Sequence, residues 1–201
     1  MGIYATALID HNLTLDNLHT LPDVLNASWQ EVEHLSPLIE GYPKPGSSTA
    51  QWEWHKIEGP FSLDRLNRRG SFPVIGYEFI GHVSERVLRL GSLVKWSTFL
   101  VDGALREKVR SFARHIAASL GSKEIIFVPS SIYKPEQVIN LMYKGKGVPD
   151  MIAWLRESCG PPAETIASIY SKGPDGWQGD GYYIERIPST ITTPVIGGSD
   201  E

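Results

Sequence analysis

Residues of types that bind anions follow a short apolar segment near the middle of the chain. Ser130, Ser131 and Lys134 come after Glu124–Val128, which fits an inner β-strand, and Pro135 suits the first turn of a following helix. Ligands in open α/β sheets bind beyond the carboxyl ends of strands, and helix N-termini favour anions. The pattern therefore allows a phosphate or carboxylate site. The alternative is a turn whose serines cap the next helix, since no glycine-rich phosphate loop accompanies them.

Three arginines recur at steps of four in the longest helical pattern of the sequence. Arg106, Arg110 and Arg114 lie beside its apolar stripe and not on it. Such a row can contact an acidic partner protein or a nucleic-acid backbone. The alternative is a solvated face on which the arginine stems cover the edge of the core, with Glu107 paired to Arg110 at i, i+3. We expect the row to contribute to partner binding through its charge.

Trp177 is a further candidate for partner binding. It lies in the glycine-rich segment Asp175–Gly181, where it can remain exposed. Trp and Arg are residue types that anchor protein interfaces. The alternative is that Trp177 packs in the core, as most tryptophans do.

The sequence offers no pattern that we can assign to catalysis, a metal or a cofactor. No serine sits in a nucleophile elbow, and no dinucleotide-binding fingerprint is present. No two of the six histidines are four residues apart, the spacing of a helical zinc pair. Glu31 and His34 stand three residues apart, as in a carboxylate-bridged di-iron centre, but such a centre needs two of these pairs and the sequence has one. Cys159 is the one cysteine, so no intramolecular disulfide can form. We therefore expect no catalytic residue, no metal site and no cofactor.

The helix that carries the arginine row is the clearest element of the sequence. Asp102 can cap its start, and Gly121 can take the left-handed position after its end. Its apolar residues recur at steps of four, three, four and four, which predicts one buried stripe. The stripe consists of Leu105, Val109, Phe112, Ile116 and Leu120.

Weaker patterns predict the remaining elements. Alternation and β-forming residues predict a first strand over 2–9, a strand over 52–57, two or three antiparallel strands over 72–96, and a last strand over 182–187. Capping residues and proline predict helices over 28–39, 62–70, 149–160 and 162–170. The segment 144–147 fits a helix end and a turn.

The bulk properties restrict the class of protein. A chain of 201 residues with 41% hydrophobic residues can bury one sizeable core. The net charge of −4 and the pI of about 5.9 disfavour a dedicated nucleic-acid binder, which usually has a strong basic excess. We see no secretory signal and no apolar run of the ~18 residues that a membrane span needs. We therefore expect a cytoplasmic protein that does not associate with membranes.

These patterns combine into one expectation about fold and function. We predict a single α+β domain over 1–187, with a mixed sheet and helices largely on one face, followed by a flexible tail over 188–201. The leading hypothesis is a non-catalytic protein-binding module, such as an accessory, adaptor or immunity-type protein. An enzyme or small-ligand binder that uses the loop after Val128 is the alternative. A nucleic-acid accessory protein comes third.

Overall fold

A single β-sheet organises the part of the chain that the structure describes. That structure is a computed structural model, and it describes residues 3–14, 17, 20–21, 62–64, 69–74, 79–130, 134–170 and 181–188. The predicted helix over 28–39 and the predicted strand over 52–57 lie outside these residues. So do Ser131, Trp177 and the predicted tail beyond Pro188.

Within the described residues the sheet has seven strands in the order β2-β3-β4-β5-β1-β6-β7, and every pair of neighbours is antiparallel. The first strand lies near the middle of the sheet, between β5 and β6. The strands are β1 (Tyr4–Asp10), β2 (Ser62–Asp64), β3 (Arg69–Val74), β4 (Phe79–Ser84), β5 (Val87–Lys95), β6 (Glu124–Pro129) and β7 (Tyr183–Arg186).

Most helical residues that the structure describes lie in the connections on either side of β6. Between β5 and β6 lie α1 (Trp96–Val101) and α2 (Gly103–Ser119). Between β6 and β7 lie a 3₁₀ helix (Lys134–Val138), α3 (Ile139–Met142), α4 (Val148–Cys159) and α5 (Ile166–Tyr170).

The α+β class is confirmed, but the sheet is antiparallel and not mixed in the described strands. The strand–helix–strand pattern from β5 through α2 to β6 is typical of a parallel pair. Strands β5 and β6 do run in the same direction, since each is antiparallel to β1. Because β1 lies between them, no parallel ladder forms. The position of β1 therefore explains the difference.

Helices also cover both faces of the sheet, whereas the sequence led us to expect them largely on one. On the first face, which we call the α2 face, α1, α2 and α5 pack on the alternate residues Ala5, Ala7 and Ile9 of β1. On the opposite face, the α4 face, the 3₁₀ helix, α3 and α4 pack around Leu8. The central strands are therefore buried on both sides, and β6 is apolar and buried from Ile125 to Pro129.

Helix α2 forms where its periodicity predicted it, and all five residues of the apolar stripe are buried. The Asp102 carboxylate accepts a hydrogen bond from the Leu105 amide at 3.0 Å, which satisfies one of the free amides of the first turn. Gly121 has φ of 69° just after the end of the helix, a conformation that suits glycine. The local signals of this helix are thus confirmed.

Two other elements differ from the sequence patterns. Ser62–Asp64 is strand β2 and not the start of a helix, because it pairs with β3. Trp96 begins helix α1 and does not end a strand, because its indole is buried on the α2 face and stacks on Phe99 at a centroid distance of 5.5 Å. In both cases a tertiary contact decides the local conformation.

Candidate functional site

The arginine row binds carboxylates of the protein itself. Arg110 holds Glu185 of β7 with two parallel hydrogen bonds, from Nε to Oε2 at 2.9 Å and from Nη2 to Oε1 at 3.0 Å. Arg114 forms an ion pair with the same carboxylate, and its Nε atom lies 2.6 Å from Glu185 Oε1. Both arginines also pair with Glu107. These contacts fasten α2 to the last strand of the sheet.

The environment of Arg110 keeps its guanidinium charged. Burial lowers the pKa of Arg110, but the hydrogen bonds and charge of Glu185 and the charge of Glu107 outweigh burial, so the net pKa is raised. The guanidinium also lies 5.7 Å from the ring centroid of Tyr183. The two arginines and two glutamates of this cluster have no net charge together. A partner would therefore meet a neutral cluster at this point of α2.

Arg106 has a different role from the other two arginines. Its Nη1 donates a hydrogen bond to the Leu100 carbonyl at 2.7 Å, close to the C-terminal end of α1. A cation at this position satisfies a carbonyl that has no partner within the helix and also matches the helix dipole. Arg106 therefore joins α1 to α2. A contribution of the row to partner binding stays a prediction.

The residues predicted to bind an anion after β6 are only partly brought together. Ser130 completes the pairing of β1 with β6, since its hydroxyl accepts a hydrogen bond from the Tyr4 amide at 2.9 Å and its amide donates to the Tyr4 carbonyl at 2.7 Å. Lys134 is exposed at the start of the 3₁₀ helix. Ser131 lies outside the described residues. The hydrogen bonds of Ser130 therefore extend the pairing of β1 with β6. An anion site in this loop stays a prediction.

A carboxylate from β1 lies at the N-terminus of α4. The Oδ1 atom of Asp10 accepts a hydrogen bond from the Val148 amide at 2.8 Å. The guanidinium of Arg86 lies beside it against Gly147, where an added Cβ would be 3.2 Å from the arginine Cζ. Helix N-termini attract negative charge, so Asp10 fills the position that an anionic ligand would otherwise take.

Asp10→Asn is expected to change how stability depends on pH. Burial raises the pKa of Asp10 above its ordinary value of 3.8, although the Val148 hydrogen bond and Arg86 oppose the rise. A raised pKa in the folded state means that the contribution of Asp10 to stability is complete below 3.8 and is lost as the pH rises through the raised value. The asparagine variant keeps an oxygen acceptor but does not titrate.

Urea unfolding of both proteins between pH 3.5 and 7 measures this effect. The free energy of unfolding of the wild type, relative to Asp10→Asn, is expected to fall across that interval. Asp10→Ala is expected to cost about 1 kcal/mol at low pH, because it removes the acceptor altogether. Glu157→Gln on the exposed side of α4 is the control. The prediction would be wrong if the free energy of unfolding changed with pH in the same way in the wild type and in Asp10→Asn.

The most exposed large apolar side chain among the described residues was not singled out by the sequence. Val101, the last residue of α1, is 56% exposed, and Tyr170, the last residue of α5, is 37% exposed. Helices α1 and α5 contact each other on the α2 face. We call Val101 and Tyr170 the α1–α5 patch. Neither residue belongs to a periodic pattern, so only the helix boundaries and packing reveal them.

The segment that contains Trp177 follows the patch residue Tyr170 along the chain. Trp177 itself lies outside the described residues. Its segment, 171–180, starts directly after Tyr170 and ends directly before Gly181. Gly181 packs tightly on Ile169 of α5, since an added Cβ would lie 2.8 Å from Ile169 Cγ2. The chain therefore leaves α5 at Tyr170 and returns to it at Gly181.

Comparisons with protein-family models, curated proteins and solved structures found no match for this chain. In the part of the chain that the structure describes, no helix has the length and apolar character needed to cross a membrane. Among the same residues, no group of three or more His, Cys, Asp or Glu side chains is placed to hold a metal ion.

Proposed function

We propose that this protein is a non-catalytic protein-binding module and that the α1–α5 patch is part of its binding surface. The proposal rests on the exposure of two large apolar side chains, Val101 at 56% and Tyr170 at 37%, at the ends of two helices that contact each other. Side chains held on helices lose less conformational freedom on binding than side chains on a loop that must first become ordered. The partner is another protein that presents apolar side chains.

The predicted anchor Trp177 supports the same surface. Tryptophan and tyrosine are frequent among the residues that dominate binding energy. Trp177 belongs to the segment that follows Tyr170 in the sequence, and we propose it as a further partner-binding residue. The arginine row on α2 lies on the same face of the sheet.

The roles of the polar side chains fit a binding module better than an enzyme that uses the loop after β6. Asp10 caps α4, and Ser130 pairs with Tyr4. The Nε2 atom of His11 donates a hydrogen bond to the Ser84 carbonyl oxygen at 3.0 Å. Burial lowers the pKa of His11, so its imidazole is neutral near pH 7. A cytoplasmic accessory or adaptor role is the form of the proposal that we favour.

Loss of the patch is expected to remove the partner and leave the fold intact. The variant carries Val101→Ser and Tyr170→Ser. Loss of one residue that dominates an interface costs about 2 kcal/mol or more, so partner affinity is expected to fall about 30-fold if Tyr170 has that role. Tyr143→Ser is the matched control, since Tyr143 is 40% exposed on the loop after α3.

The measurement is quantitative mass spectrometry of proteins captured by each tagged variant, with thermal melts as a test of folding. We expect one set of proteins to be captured by the wild type and by Tyr143→Ser but lost from the double variant. Equal capture by all three would contradict the proposed surface. Nuclease treatment before capture separates a protein partner from a nucleic-acid bridge, and loss of all capture after that treatment would favour a nucleic-acid accessory.

A further inference from the structure

Polar side chains from three neighbouring strands meet on the α4 face of the sheet. The register pairs Arg89 of β5 with Leu8 of β1 on one side and with His82 of β4 on the other. Thr6 pairs with Gly91, two residues along from Arg89, so Thr6 is its diagonal neighbour. Side chains of such pairs lie on one face of a sheet and within reach of a long side chain. Gly91 contributes no side chain between them.

Two of these groups are buried without a partner. Thr6 is 1% exposed, and its Oγ1 has no hydrogen-bond partner among the described residues. The Nε atom of Arg89 is also buried and has none. Leaving such a group unpaired costs about 1–3 kcal/mol, and native proteins leave few of them. An unpaired donor beside an unpaired hydroxyl therefore leaves hydrogen-bonding capacity that a bound ligand can satisfy.

The charge at this position has no counter-charge within the described residues. No ion pair recorded among the described residues includes Arg89. The contrast with Arg110 is direct, since Arg110 holds a carboxylate with two parallel hydrogen bonds. Arg89 has the same fork of donors but no acceptor among these residues.

His82 adds a third polar group beside Arg89. Burial lowers the pKa of His82, and the charge of Arg89 lowers it further, so the imidazole is neutral near pH 7. A neutral imidazole has one N–H donor and one acceptor nitrogen. Its N–H group can donate a hydrogen bond to an oxygen of a ligand that Arg89 binds.

We propose that Arg89, His82 and Thr6 form a binding site for a single carboxylate group. The Nε edge of one guanidinium matches the two oxygens of a carboxylate, and the Thr6 hydroxyl and the imidazole supply further donors. Leu8, fully buried beside Arg89, makes the apolar boundary of the site. One arginine balances the single negative charge of a carboxylate, whereas a phosphate with two negative charges would remain partly unpaired. The carboxylate belongs either to a free small acid or to a glutamate of a protein.

Titration of the ¹⁵N-labelled full-length protein with acetate tests the site. The Nε–H signal of Arg89 and the ring signals of His82 are expected to shift saturably, and the pKa of His82 is expected to rise. Acetamide, which has the same shape but no charge, is expected to leave both signals in place. A second arm uses N-acetylglutamate amide. Tighter binding of this compound identifies a protein carboxylate, and tighter binding of acetate identifies a free acid.

Three variants make the test specific to the site. Arg89→Gln and Thr6→Val are each expected to weaken acetate at least tenfold, whereas Arg156→Gln on the exposed side of α4 is expected to change nothing. Arg89→Lys keeps the charge without the fork and is expected to bind more weakly than the wild type. Thr6→Val is also expected to raise the melting temperature by about 2–4 °C without acetate, because it removes an unpaired buried hydroxyl.

Several results would overturn the proposal. They are an Arg89 signal that does not move at any acetate concentration, an equal shift of the Arg156 Nε–H signal, or wild-type affinity in folded Arg89→Gln. A fall in the melting temperature of Thr6→Val would also count against it, since the hydroxyl would then have a partner. None of these outcomes bears on the α1–α5 patch, which lies on the other face of the sheet.

Discussion

Replacing Phe112 with alanine is expected to lower the free energy of unfolding by about 3–5 kcal/mol. Phe112 is 1% exposed and lies at the centre of the apolar stripe that packs α2 on the sheet. Truncation removes the apolar contacts and leaves a cavity that the rigid strands below cannot fill. Urea midpoints with an unchanged m-value measure the loss.

Arg110→Ala is the matched comparison, two residues away on the same helix. Its position off the stripe suggests a surface change of about 0.5 kcal/mol or less. The structure raises that expectation to about 1–2 kcal/mol, because the side chain is 23% exposed and holds Glu185, while Arg114 remains on the same carboxylate. Equal losses in Phe112→Ala and Arg110→Ala would mean that the helix faces the sheet differently.

Removing Glu185 is expected to have the second-largest effect. The Glu185 side chain is 7% exposed. It accepts two hydrogen bonds from Arg110 and forms an ion pair with Arg114. Loss of one partner of a buried pair costs about 3–5 kcal/mol. We expect about 2–3 kcal/mol for Glu185→Ala, since the two arginines are partly exposed and water screens them.

A double-mutant cycle separates the ion pair from simple loss of packing. Glu185→Ala is expected to cost clearly less in the Arg110→Ala background, with a coupling energy of about 1 kcal/mol or more. Glu157→Ala, on the exposed side of α4, is the control and is expected to change stability by roughly 0.5 kcal/mol or less. A loss below 1 kcal/mol for Glu185→Ala, or a coupling near zero, would show that the cluster does not fasten α2 to β7.

Helix α2 could be predicted from the sequence because its signals are local. The stripe, the Asp102 cap and Gly121 all lie within twenty residues of one another, and each is confirmed. The buried strand β6 could be predicted for the same reason, since a short apolar run needs no knowledge of its neighbours. Both elements would have the same signals in many different folds.

The arrangement of the sheet could not be predicted in this way. Nothing local to Tyr4–Asp10 shows that this strand inserts between β5 and β6 and thereby prevents a parallel ladder. The pairing joins segments about 80 and 120 residues away along the chain, and only the complete set of contacts determines it. The expected mixed sheet was wrong for this reason.

The candidate sites show the same limit. The four-residue spacing of the arginines is visible in the sequence, but Glu185, which Arg110 and Arg114 hold, lies 75 residues from Arg110. The row therefore looked available to a partner. Thr6 and Arg89 are diagonal neighbours only because of the register in which β1 pairs with β5. The exposure of Val101 depends on where α1 ends. Tertiary structure alone reveals these groups.

Site-specific photocrosslinking in cells of the source organism tests the proposed binding surface most directly. A benzophenone amino acid at position 101 places the reactive group on the α1–α5 patch, and its exposure of 56% indicates that the fold will tolerate the change. The control carries the same amino acid at Ala153, which is exposed on α4 across the sheet. We predict an adduct of one defined mass with another protein from position 101 and none from position 153. No adduct at position 101, or the same adducts from both positions, would contradict the proposal.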